Sequence, residues 1–179
     1  MKKIILYLVL LLIIGCDGAE IYFESPQPAN SEREKIFPTA LQGIYNDDDD
    51  GSLIINELTC VYRDDTILDM EGQLYDSLIL KKYKSHYILN QTGEEGWIVW
   101  VIYIKNIDKF AVQSIGGAMD AYEVEDVEKL KNLTTVNEIF NSNGHIDYYL
   151  INPTQKEFKR LVKKKIMFSE KVTFKRVNK

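Results

Sequence analysis

The chain is poor in the residues that carry most enzyme chemistry. Only two histidines and two cysteines occur among 179 residues. His86, His145, Cys16 and Cys60 lie far apart and show none of the paired spacings of a zinc site. No Gly-x-Ser-x-Gly elbow and no glycine-rich phosphate loop is present, so acyl transfer of that type and nucleotide chemistry have no motif to rest on. Ten glycines and four prolines are too few for a collagen-like or long low-complexity chain. Basic residues are scarce over most of the length: from Asp17 to Asn152 there are 10 Lys and Arg against 25 Asp and Glu. An acidic body of this kind speaks against a nucleic-acid partner. The last segment inverts the balance, with 10 Lys and Arg from Pro153 to Lys179 against only Glu157 and Glu170. Such a tail either attracts anionic lipid or an acidic partner, or folds back on its own domain. Regularly spaced apolar residues among the cations favour the second, as in an amphipathic helix.

What is present is most distinctive at the start. Lys2 and Lys3, the apolar run Ile4 to Ile14, and Gly15 before Cys16 make the three regions of a secretory signal peptide. The run is too short to span a bilayer, which takes roughly 20 apolar residues. Leu12-Ile13-Ile14-Gly15-Cys16 resembles the lipobox of bacterial lipoproteins, and that resemblance implies diacylglyceryl transfer to Cys16 with cleavage before it. Residues 1–15 are then a lipoprotein signal peptide. With lipid on Cys16, Cys60 has no disulfide partner within the chain.

Residues 16–35 are polar, hold Pro26 and Pro28 and lack sustained periodicity, so the lipidated cysteine is expected to be followed by a flexible tether with a stiff Ser25–Pro28 piece. A single globular domain is expected over 36–179. Strands are expected at Leu41–Tyr45, Ser52–Arg63, Thr66–Met70, Tyr75–Lys82, Ser85–Gln91, Trp97–Lys105 and Lys109–Ile115. Trp97–Lys105 is apolar on both parities, which suits a strand covered on both faces. Acidic residues in the first turn and threefold apolar spacing predict a helix over Glu123–Lys131. Val136–Phe140 and Ile146–Ile151 flank Asn143-Gly144, a hairpin signal. Asn152 as N-cap and Pro153 at the first helical position predict a helix to about Lys164, and Val172–Val177 is a last strand. The fold class is α+β and β-rich: an antiparallel meander of about eight or nine strands with two short helices.

Phe23-Glu24-Ser25-Pro26-Gln27-Pro28, Phe37-Pro38 and Leu41-Gln42-Gly43-Ile44-Tyr45 near one end, with Tyr149-x-Ile151-Asn152-Pro153-Thr154 and Lys156-Glu157-Phe158 near the other, resemble a group of uncharacterised cell-envelope lipoproteins of Bacteroidota. The Gly-x-Tyr first strand followed by a meander also looks like the lipocalin pattern, with Tyr45 where that family normally has Trp. The resemblance implies a barrel whose floor Tyr45 closes.

Two candidate sites follow from the residues. Asn46, Asp48 and Asp50, then Gly51 and Glu57, have the ligand spacing of a twelve-residue calcium loop; a solvated Asp-Gly hairpin turn explains the same string. Trp97, Trp100 and Tyr103, together with Tyr83 and Tyr87 across the expected sheet, are candidates to line a pocket for an apolar or carbohydrate ligand, and core packing explains them as well. No catalytic residue and no obligatory cofactor is assigned; calcium is the one cofactor considered. The reading is a bacterial envelope lipoprotein held to a bilayer through acylated Cys16. Which membrane it occupies is open. It is expected to act without catalysis, binding a small apolar ligand or an envelope protein, or serving a structural role. The alternative is an envelope enzyme or a calcium-binding module.

Overall fold

A computed structural model describes residues 19–63, 70–116 and 124–177. Twelve strands, β1 (Glu20–Phe23), β2 (Gly43–Asn46), β3 (Ser52–Ile55), β4 (Thr59–Arg63), β5 (Glu71–Gln73), β6 (Leu78–Tyr83), β7 (His86–Thr92), β8 (Trp97–Asn106), β9 (Lys109–Ile115), β10 (Val136–Phe140), β11 (Ile146–Ile151) and β12 (Val172–Arg176), form one sheet. Helices α1 (Val124–Lys131) and α2 (Gln155–Lys164) complete the described elements. The strand order is β10-β11-β1-β8-β9-β12-β2-β3-β4-β5, and β6 and β7 branch from β8. The sheet is open and mixed, because β1 runs parallel to β11 while its other pairings are antiparallel. This revises the expected meander: the β-rich α+β class stands, the strand count is higher and no barrel closes.

β8 organises the whole. Its alternate residues serve two cores, Trp100 and Ile102 in one, Val99 and Val101 in the other, as expected for a strand with no polar parity. The first core lies inside the curl of the sheet. Tyr62 of β4 and Phe174 of β12 have ring centroids 5.6 Å apart, although β3 and β2 intervene. Three strand spacings in a flat sheet are about 14 Å, so the sheet must bend until its inner side chains meet. The second core lies outside β7, β8 and β9, where Val127 and Leu130 of α1 and Phe158 and Leu161 of α2 pack on Ile88, Val99, Val101 and Ile115.

The expected tether over residues 16–35 is corrected: from Glu20 onward it is part of the fold. Ile21 and Phe23 are wholly buried in the second core, each such side chain contributing about 1.5–3 kcal/mol. Gly116 (φ 78) admits β1 closely, since a Cβ there would sit 2.5 Å from the Ile21 carbonyl oxygen. The following Ser25–Pro28 piece is latched rather than free, and its Gln27–Pro28 bond is cis. Asn90 Oδ1 accepts the Gln27 N–H at 2.5 Å, and its Nδ2 donates to the Gln27 carbonyl at 2.8 Å and the Ile79 carbonyl at 3.1 Å. Lys81 Nζ donates to the Pro26 and Pro28 carbonyls, each at 2.8 Å. Burial, then the Arg33 charge, holds the Lys81 pKa below its ordinary value. Residues 33–34 then bond to the free edge of β6, and Phe37 N–H reaches the Glu57 carbonyl at 2.8 Å. Phe37 and Leu41 thereby enter the first core at the seam between β6 and the β3–β4 turn.

Two more expectations change. Ser52–Arg63 is a hairpin, not one strand, turning at Asn56–Leu58, where the Asn56 N–H donates to the Thr59 carbonyl. The turn changes parity, so Leu53, Ile55, Cys60 and Tyr62 share the buried face. A straight strand would split them between two faces. Helix α2 starts at Gln155, capped by Thr154 in a reciprocal box with Glu157, while Asn152 Nδ2 donates to Glu24 Oε2 at 2.9 Å. The strand expected at Thr66–Met70 falls mostly outside the described residues, as do the signal-peptide residues 1–15 and Cys16.

The latch makes a measurable claim. Asn90→Ala leaves the Gln27 N–H and two carbonyls buried without their partner, and should lower unfolding free energy by about 2–4 kcal/mol. Urea denaturation checks this; a loss within about 0.5 kcal/mol, as at an ordinary surface site, would mean the segment is not latched.

Candidate functional site

The acidic turn is tied up from within. Asp47, not one of the expected ligands, organises it: Oδ1 accepts the Asp49 N–H at 2.9 Å and the Gly51 N–H at 2.8 Å, and Oδ2 accepts the Tyr62 hydroxyl. Gly51 is required here, since a Cβ would sit 2.3 Å from the Tyr62 oxygen. Asp48 pairs with Lys175, which holds its carboxyl below the ordinary range. Asn46 ends β2 opposite Ser52, and Asp50 takes the left-handed conformation of the turn (φ 66). Glu57 is elsewhere. Extended β3 separates it from the turn, and five residues at about 3.4 Å each carry it roughly 17 Å away. The four residues with calcium-loop spacing are therefore not brought together, and no acidic or metal-ligating cluster of three is found among the described residues.

The aromatic set divides by parity. Trp100 is in the inner core, 6 % exposed, with Nε1 buried and unpartnered. Trp97 and Tyr103 lie on the opposite face of β8, half-buried against the second core. The three cannot line one pocket. Nor is the inner core hollow: Tyr45, Phe110 and Phe174 fill it, with Tyr45 and Phe110 centroids 4.7 Å apart and those of Phe110 and Phe174 5.4 Å apart. Cys60 is 1 % exposed and burial pushes its thiol up to about 12, so it behaves as a small hydrophobe.

Three surface features remain. An open groove of about 1190 Å³, solvent included, runs over β2, β3 and β12, lined by Gln42, Ile44, Ile54, Asn56, Glu57 and Val177 around Arg176. The guanidinium is fixed: it donates to the carbonyls of Gln42 (2.6 Å), Ile107 and Ala40 and to the Tyr45 hydroxyl, and lies 4.7 Å over the Tyr45 ring. Arg176 thus serves structure, and exposed Ile44 and Val177 leave the groove mainly apolar. A second feature clusters at the β6–β7 turn: His86 stacks edgewise on Tyr103 at 4.7 Å, and Lys171 lies 4.8 Å over Tyr103. Among the described residues, His86 Nδ1 and the Tyr83 hydroxyl have no hydrogen-bond partner. The third is the solvent face of α2, where Lys156, Lys159, Arg160, Lys163 and Lys164 are exposed. Neither the groove nor the histidine cluster could be foreseen, because each joins residues remote in sequence; the basic face of α2 was legible as a charge count.

No family model, no curated protein and no solved structure matches this chain.

Burial, followed by the charges of Lys84 and Lys171, lowers the pKa of His86 below its ordinary value. The fold therefore keeps His86 neutral while the unfolded chain, with a pKa of about 6.5, takes up a proton first. The contribution is absent above about pH 7 and becomes a destabilisation as pH falls through 6.5 toward the folded-state pKa. His86→Gln should therefore lose less stability than the parent between about pH 7 and about pH 5 in paired urea titrations. Parallel losses would show that the imidazole is not shielded.

Proposed function

We propose that this protein is a lipid-anchored bacterial envelope protein whose folded domain is a non-enzymatic binding or structural module. The observation that carries the reading is the filled interior: Tyr45, Leu53, Leu78, Leu80, Leu89 and Phe174 are wholly buried in one core. A carrier of small apolar ligands needs a cavity of some 300 Å³ or more lined by such residues, and here those residues touch one another. The groove over β2, β3 and β12 is external and mainly apolar, with its cation engaged by backbone carbonyls. That arrangement suits contact with another macromolecule better than bond-making on a substrate. The anchoring half of the reading rests on Lys2, Lys3, the apolar run and Gly15-Cys16. No helix among the described residues is long and apolar enough to cross a membrane, so in this reading the acyl chains do the holding.

The two halves are tested together in cells. Cys16→Ser should move the protein from the membrane pellet to the soluble fraction, and the purified lipidated protein should give no saturable binding of a fluorescent fatty acid. Continued pelleting of the Cys16→Ser variant would remove the anchor, and saturable probe uptake would restore the carrier role in place of the partner-binding one.

A further inference from the structure

The charge inversion noted along the sequence acquires a place in the fold. On α2 the cations Lys156, Lys159, Arg160, Lys163 and Lys164 are spaced so that they line one outer face, and Lys165 caps the helix in the left-handed conformation. All six are exposed, and none makes an ion pair among the described residues. The only acid on the helix, Glu157, accepts the Thr154 N–H at 2.9 Å, and that bond, with smaller contributions from Thr134 and Arg160, holds its carboxyl below the ordinary range. Helix α1 provides the contrast: Lys129 pairs with Asp126, and Lys131 with Glu128 and Glu138.

The foot of β1 is close by. Gly116 N–H donates to the Met167 carbonyl at 3.2 Å, just past the end of α2, and Gly116 lies against the Ile21 backbone. Cys16 precedes Glu20 by four residues, a span of at most about 14 Å. The same strand divides the charges. Ile21 and Phe23 point into the core beneath α2, whereas Tyr22 bonds to Glu20 and feels Glu94 and Glu95. Acids thus gather on the face of β1 away from α2.

We propose that the outer face of α2 is a docking surface for anionic phospholipid headgroups of the membrane that holds the Cys16 lipid. This rests on the anchoring reading above. Together the two contacts would fix how the domain lies on the bilayer, leaving the apolar groove for a partner. The acidic net charge, −7 for the cleaved chain once Lys2 and Lys3 are taken from the −5 total, does not oppose it, because fields are screened beyond about 8 Å at physiological salt and the charges nearest the bilayer decide the contact. A cluster of four to eight Lys and Arg next to a membrane insertion point is the usual size of such a contact.

The test uses the full lipidated chain in two vesicle types, one of phosphatidylglycerol with phosphatidylethanolamine and one of phosphatidylcholine alone. Lysine acetylation is read by mass spectrometry, with exposed Lys35 and Lys175 as internal references. Lys156, Lys159, Lys163, Lys164 and Lys165 should label about tenfold more slowly on the anionic vesicles. The difference should vanish at about 1 M salt, where the screening length falls to about 3 Å. Equal labelling in both vesicle types with lipid present on Cys16 overturns the docking face alone. Protection that appears only with a co-purifying acidic protein, and not on anionic vesicles, overturns it in favour of a protein partner. A chain whose Cys16 carries no lipid mass overturns the anchor and the docking geometry with it.

Discussion

Everything in this fold answers to one constraint: β8 is apolar on both faces, and both must be covered. On one side Trp100 and Ile102 are covered by the sheet itself, which curls until Tyr62, Phe110 and Phe174 meet across it. On the other, Val99 and Val101 are covered by two helices and by β1. Neither cover is complete with the meander alone. The N-terminal segment contributes to both, through Ile21 and Phe23 on the helical side and Phe37 and Leu41 on the inner side. Asn90 and Lys81 hold the stretch that connects these contributions.

The same constraint shapes the functional reading. Curling the sheet onto its own side chains fills volume that a ligand carrier would keep open, so in the proposed reading recognition falls to outer surfaces. Two of the three surface features bear on that reading. The groove over β2, β3 and β12 is mainly apolar around an engaged arginine, and the face of α2 is basic and without an ion pair among the described residues. Integration of β1 also changes what a lipid at Cys16 would do. A twenty-residue coil would have a root-mean-square reach of roughly 25 Å and leave the domain free to tumble. In the proposed reading four residues would hold it against the membrane, where the chemistry of its near surface would matter.

How much of this was legible follows from particular residues. β9, β10 and β11 match the expected strands end for end, because alternation and turn signals such as Asn143-Gly144 agree there. β1 was obscured by its surroundings: four residues, Glu20–Phe23, precede a stretch with two prolines, and the side-chain donors that fix that stretch lie more than fifty residues away. The β3–β4 turn carried a readable signal in the change of apolar parity at Asn56. The start of α2 carried one in Thr154-x-x-Glu157, a capping box outweighed by Asn152-Pro153. The calcium spacing failed for a different reason. A linear pattern has ligand geometry only if the chain turns back on itself, and extended β3 carries Glu57 away instead. The aromatic set failed by parity, since positions 97 and 103 share a face that position 100 cannot.

The folded domain includes β1, whose Ile21 and Phe23 are part of the second core. The most direct test of this compares the thermal unfolding of a chain starting at Asp17 with one starting at Ile36, followed by circular dichroism. The first should show a single cooperative transition and the second none, because the second core loses Ile21 and Phe23 and the β6 edge loses its cover. Equal, cooperative transitions for the two chains would contradict it and return residues 20–35 to the role of a tether.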